Sequence, residues 1–284
     1  STSAKAPEKA ESLLNRMEDI YNTGNKSVKP NVKSYTSAIN AWARSNARDA
    51  ASRAEALLEQ MEAMYKAGNA DLKPDRIVFN AVINAYAHSN EIGKAVKAQR
   101  IFNRMVDLYK AGNTDAKPDR MGYNTVINAC AYSRGNASDK AEALEIAISM
   151  LEAFQADPHV CDGPNHSTYG TVLMACTNLM PKNDLRRKLV ETVFWQCCRD
   201  GQVNSFIISQ LKNAAPPDLF NELLYGEAVE MDMEADSFVN TKDLPDEWTC
   251  NAVQERRQQG RAGPRKGGNK RRNASNSNRQ TLQQ

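Results

Sequence analysis

The stretch KPDRIVFNAVINAY, Lys73 to Tyr86, decides the fold. It recurs without a gap as KPNVKSYTSAINAW from Lys29 and as KPDRMGYNTVINAC from Lys117, so Pro30, Pro74 and Pro118 stand 44 residues apart. A looser fourth copy, GPNHSTYGTVLMAC, begins 46 residues later at Gly163. The register also holds between the copies: Met17, Met61 and Met105 match, as do Tyr21, Tyr65 and Tyr109, and the Gly-Asn pairs at Gly24, Gly68 and Gly112. A fixed period of this size is the signature of a solenoid, because one unit is too small to bury its own apolar face and must stack on a neighbour.

Within a unit the apolar spacing predicts two antiparallel helices. Tyr35, Ala38, Ile39 and Trp42 recur at three- and four-residue steps, which makes one apolar stripe from about Lys33 to Arg44. SNARDAAS interrupts the stripe. Ala54, Leu57, Leu58, Met61 and Tyr65 then line a second helix from about Ser52 to Lys66. Gly68 supplies a left-handed C-cap, Lys66 suits the helix C-terminal dipole, and Asp75 after Pro74 is an N-cap for the next unit. The fold class expected is all-α, a right-handed α-solenoid of helix-turn-helix repeats over residues 1–225. It divides into a half repeat at 1–30, repeats at 31–74, 75–118, 119–164 and 165–204, and capping helices at 205–225. Because residues 8–23 match only a second helix, a longer parent array is expected.

Charge divides the chain further. The total is +3, but Glu255 to Gln284 carries +8 and Asp218 to Glu247 carries −9, which leaves the repeat body mildly basic. An acidic linker at 226–254 and a basic tail at 255–284 follow, both without apolar periodicity and both expected to be disordered. The tail, QERRQQGRAGPRKGGNKRRN, reads either as a solvated terminus or as a non-specific phosphate clamp. Six cysteines show no CxxC pair, and Cys130 and Cys176 share the column of Trp42 and Tyr86, so they read as small core residues in a reducing compartment. No apolar run approaches the ~18 residues of a membrane span, and no targeting segment is visible. HExxH, phosphate-loop and nucleophile motifs are absent, so neither catalysis, metal, cofactor nor small-molecule substrate is expected.

These residues resemble the pentatricopeptide repeat (PPR) family: x-Pro-Asp/Asn, then aromatic-Asn/Thr-x-x-Ile-Asn-Ala-aromatic, then Ala-x-x-Leu/Ile-Phe/Leu-x-x-Met, over about residues 8 to 212. The departure from the family is the longer unit. Tetratricopeptide repeats have units of about 34 residues and another consensus. The resemblance implies single-stranded RNA as partner, with one base read per repeat by two or three side chains. It also implies a mitochondrial or chloroplast location, and protein partners in RNA processing.

Carried over by position, the residue after the aromatic is Thr36, Asn80, Asn124 or Gly170. Its mate, the residue after the closing proline, is Asp75, Asp119 or Asn165, with a residue near Asn204 in the last unit. A third column, two residues before the aromatic, covers the base face and holds Lys33, Ile77, Met121 and Ser167. The RNA-binding set is thus Thr36, Asp75, Ile77, Asn80, Asp119, Met121, Asn124 and Asn165. Capping alone explains Asn31, Asp75, Asp119 and Asn165. Asn and Thr are mediocre helix formers, so Thr36, Asn80 and Asn124 have no propensity motive. Asn40, Asn84 and Asn128 read as structural, bonding between repeats or to the turn, and the Tyr35, Phe79, Tyr123 and Tyr169 column as core. The alternative function is a protein-binding α-solenoid scaffold of tetratricopeptide type.

Overall fold

The computed structural model describes residues 5–157, 163–226 and 241–252; the basic tail, most of the acidic linker, Cys161 and His159 lie outside them. By contact the chain forms two units, Ser1–Val253 and Gln254–Gln284. Among the described residues the regular structure is entirely helical. A lone second helix, α1 (Ala6–Asn22), opens the array. The pairs α2 (Val32–Ala43) and α3 (Ala50–Lys66), α4 (Arg76–His88) and α5 (Lys94–Lys110), α6 (Arg120–Ala131) and α7 (Ala137–Ala156), and α8 (His166–Leu179) and α9 (Asp184–Arg199) follow. The last pair is α10 (Ser205–Ala214) and α11 (Pro217–Tyr225).

The first helix of each pair packs directly on the first helix of the next, from α2 through α4, α6 and α8 to α10. The second helices meet one another far less. A stack with one closely packed row bends toward that row, which puts the first helices on the inner face. Between repeats the chain turns at Gly24, Gly68 and Gly112, with φ of 110°, 99° and 100°. These are positions where any Cβ is strained. At Gly68 the bonds Asn69 N to Met64 O and Gly68 N to Tyr65 O close the end of α3 in the manner of a Schellman motif. A short 3-10 turn follows, and its last residue, Leu72 or Ala116, is fully buried and anchors the linker.

The core runs the length of the array. Tyr35, Phe79, Tyr123 and Tyr169 are buried, and the Tyr123 and Phe154 rings stack with centroids 4.5 Å apart. The tyrosine hydroxyls find carboxylates: Tyr35 donates to Glu18, Tyr123 to Asp157 and Tyr169 to Asp200. In the next column Trp42 donates to Glu11 at 2.7 Å and Tyr86 donates to Glu55. Cys130 and Cys176 continue that column, fully buried, and burial pushes each thiol up to about 12. Both behave as small apolar residues, which agrees with their reading from sequence.

One part of the sequence expectation fails. Residues 241–252, assigned to a disordered acidic linker, form a strap along α9 that includes the short helix α12 (Asp246–Thr249). Val203 N donates to Trp248 O at 2.8 Å, and Asn251 N donates to Gly201 O at 2.9 Å. The Trp248 ring stands edge-on to Phe194 and Trp195, and Leu244 is buried. Two apolar side chains among acids are enough to dock the segment, because α11 is too short to cover all of α9. Part of the negative charge is also locally used: Arg187 pairs with Asp218 and Glu222, and this holds the Asp218 carboxyl below its usual pKa.

Glu55 is the most deeply buried acid of the array, and it joins α3 to both its neighbours. Its side chain is 9% exposed and meets Arg100 and Arg104 of α5 as well as Tyr86 of α4. The substitution E55A is expected to cost about 2 kcal/mol in urea unfolding, since it strands the buried Tyr86 hydroxyl and leaves Arg104 with Glu59 and Glu62 alone. In an E55A background, Y86F should change stability by only a few tenths of a kcal/mol, a coupling that a double-mutant cycle measures.

Candidate nucleic-acid interface

The inner row gains its polar groups at the start of each first helix. Proline stops the preceding linker, and the next residue takes an extended backbone and caps the helix. Asn31, Asp75, Asp119 and Asn165 each accept a backbone N–H from inside the first turn, as does Asn204 at α10. The capping role read from the sequence is therefore met, and Asn204 caps the helix that follows the fourth unit.

The same caps also reach backward. Asp119 Oδ1 accepts both Gly122 N at 3.0 Å and Asn80 Nδ2 at 3.1 Å, so it closes one helix and holds a side chain of the preceding one. Arg76 Nε lies 3.6 Å from the other oxygen of Asp119. One repeat on, Thr168 Oγ1 donates to Asn124 Oδ1 at 2.7 Å and lies 3.2 Å from Asn165 Oδ1. The two sequence columns thus meet at two junctions, directly at Asn80–Asp119 and through Thr168 at Asn124–Asn165. At the first junction Asp75 Oδ1 accepts Val78 N at 2.9 Å, and the Thr36 hydroxyl turns back to Val32 O at 2.7 Å, so no bond links the two.

The third column is open. Ile77 and Met121 are 57% and 64% exposed, and Lys33 and Ser167 are also exposed. Asn80, by contrast, is only 8% exposed, and its Oδ1 is buried without a partner. That oxygen faces Gly122: a Cβ there would sit 3.1 Å from it and 3.0 Å from the Phe102 ring. Gly122 thus suits the close approach of α6 to α4 and α5, where a Cβ would make these neighbours give way. Asn124 is half-buried, and its amide nitrogen makes no hydrogen bond.

Sequence reasoning missed the residue three places after each cap. Val78, Gly122, Thr168 and Ile207 are all buried at this position, pressed against the preceding repeat. The column reads Ser34, Val78, Gly122, Thr168 and Ile207, and so carries no shared residue type that would mark it in the sequence. One reading is corrected: Asn40, Asn84 and Asn128 do not bridge repeats, since none makes a side-chain hydrogen bond and all are half-buried. They lie one turn beyond Thr36, Asn80 and Asn124 on the same face. Beyond them, a groove of about 890 Å³ between the C-terminal ends of α2 and α4 is lined by Arg44, Arg48, Asn84 and His88 among others. Neither Arg44 nor Arg48 belongs to an ion pair. No cluster of metal-ligating side chains occurs among the described residues, and no described helix is long and apolar enough to cross a membrane.

Paired helices in a single-file stack, each first helix packed on the next, define an α-solenoid of helical hairpins. Residues 20–89 match the family model described as pentatricopeptide repeat domain, and the described residues form helical hairpins through that stretch and beyond it. The match supports an RNA-binding protein. No curated protein and no solved structure matches the chain.

Asp119 now carries two separable jobs, a cap and a clamp. D119A is expected to lower stability by about 1–2 kcal/mol in thermal or urea unfolding, and D119N by much less, because an asparagine also caps well. Equal losses for the two variants would rule out the cap as the main term.

Proposed function

We propose that this chain binds single-stranded RNA in a sequence-selective manner through its inner row, one base at each of three junctions, without catalysis of its own. The observation that carries the reading is the pairing of the two polar columns at the second and third junctions, on the same first helices that expose Ile77 and Met121. Aliphatic side chains standing clear of the surface suit the flat face of a base. The polar pair beneath suits its Watson–Crick edge. A peptide groove has no need of such pairs repeated in phase. The biological setting is that of the family: RNA processing, stabilisation or translation in a mitochondrion or chloroplast, with protein partners at the bound transcript. A sleeve of this kind shields RNA from nucleases or opens a local hairpin.

The side chains suggest the bases. Asn80 and Asp119 together offer a donor and an acceptor, which suits uracil with its carbonyl oxygens and N3–H. At Asn124 and Asn165 the carboxylate is replaced by an amide. Thr168 ties down the Asn124 oxygen and leaves its nitrogen as a donor toward N3 or O2 of cytosine, with uracil as the second choice. At the first junction Asp75 accepts from N1–H and N2–H of guanine, and the short Thr36 leaves room for a purine. With the family's orientation the order is 5′-G-U-C-3′ from the N-terminal repeat onward.

Backbone charge completes the reading. Arg44 and Arg48 lie in the connection between α2 and α3, where they line the groove, and the tail at 255–284 is the densest positive charge in the sequence. Two measurements separate bases from phosphates. N80T is expected to shift the middle base from U toward G in RNA selection, and an unchanged middle base would refute the assignment. Deleting residues 255–284 should weaken all RNAs alike and flatten the salt dependence of binding, with the order of preferred sequences intact. A salt slope unmoved by the deletion would make the tail a bystander.

A further inference from the structure

The fourth junction is built differently from the other three. Its first-column residue is Gly170, in the interior of α8, where glycine costs a helix about 1 kcal/mol against alanine and so calls for a packing reason. The reason is Phe206. A Cβ on Gly170 would collide with Cε1 of that ring, and would lie 2.8 Å from Cδ1 and 3.0 Å from Cζ. Phe206 stands two residues after the cap Asn204, which is the place of Ile77 after Asp75 and of Met121 after Asp119. Those two side chains are more than half exposed, whereas Phe206 is half-buried against the backbone of α8. The third-column residue has therefore folded down into the volume that a Thr or Asn side chain uses in the other repeats. Asn204 is left 9% exposed with its oxygen engaged by Ile207 N at 3.0 Å.

We propose that Phe206 ends the readable register: the fourth junction takes a base by stacking on the ring and does not select its identity. The inference rests on the base-reading proposal above. Without a first-column side chain the junction keeps one polar partner, Asn204, which is buried with its oxygen on Ile207 N. An aromatic surface still offers stacking of about 1–3 kcal/mol per base, to which every base responds because each has a π-face. The array would then read three bases and hold the next one, on the 3′ side, whatever it is.

The test uses the full chain and four RNAs, 5′-GUCN-3′ with N as each base, in uniform oligoadenylate flanks. Wild-type protein is expected to bind the four within about twofold. F206L keeps apolar bulk over Gly170 and removes the ring, so it should weaken all four by about fivefold, the lower end of a lost stack, at an unchanged melting temperature. The double variant G170N/F206I rebuilds the Asn80 and Ile77 arrangement beside Asn204. It should gain a preference for a pyrimidine at N of about fivefold or more. A wild-type chain that already selects one base at N, or an F206L chain that binds all four as tightly as wild type, would overturn the proposal. So would a double variant, melting as wild type does, that still ignores N. A wild-type chain indifferent to the G-U-C triplet itself would instead overturn the underlying base-reading account, so the two failures are told apart.

Discussion

Each first helix depends on one side chain, its helix cap, which in α2, α4, α6 and α8 follows a proline. A cap is needed because the first turn of an α-helix leaves backbone N–H groups without partners, and a short carboxylate or amide satisfies one of them. In this chain the same group also faces the preceding repeat. Asp119 closes α6 and holds Asn80, and Asn165 closes α8 beside the Thr168 that holds Asn124. One atom group therefore fixes where a helix starts and how it sits on its neighbour. The stacking register and the polar inner surface are consequences of the same contact.

That coupling explains how a long unit keeps a tight inner row. The length beyond a minimal hairpin lies in the second helices, 17 residues each in α3 and α5, and in the glycine turn and 3-10 segment that lead back. None of these intervenes between a first helix and the next. Two residues 39 apart in sequence, Asn80 and Asp119, remain within a hydrogen bond of each other. On the outer side the repeats are joined by other means, notably Glu55 with Arg100 and Arg104. The outer acids also track their partners along the chain. Glu11 and Glu55 serve Trp42 and Tyr86, and the corresponding place in the next unit is Gln99, where the column residue is Cys130 and needs no acceptor.

Most of the fold was legible because a repeat states its own pattern several times. The apolar columns through Tyr35 and Trp42, the proline stops and the positive-φ glycines each follow from local chemistry, and each recurs in register. The caps were legible for the same reason. What could not be read was contact between repeats that has no period. Thr168 holds Asn124, but its equivalents Val78 and Gly122 cannot do so. Phe206 over Gly170 is a single event at the end of the array. The strap at 241–252 was hidden by its charge: Leu244 and Trp248 are too few to make a periodic pattern, yet they suffice to cover α9. The amides of Asn40, Asn84 and Asn128 were misread because a recurring polar residue in a helix suggests a bond, and here it is simply unpartnered on the inner face.

The central claim is that the junctions between first helices read bases. The most direct measurement is the sequence enriched when the purified chain selects from a random single-stranded RNA pool. Enrichment of a short G-U-C core, with pyrimidine alternatives confined to its last position, is the expected result. A pool that emerges unenriched, or that converges on a core unrelated to the three side-chain pairs, would contradict it.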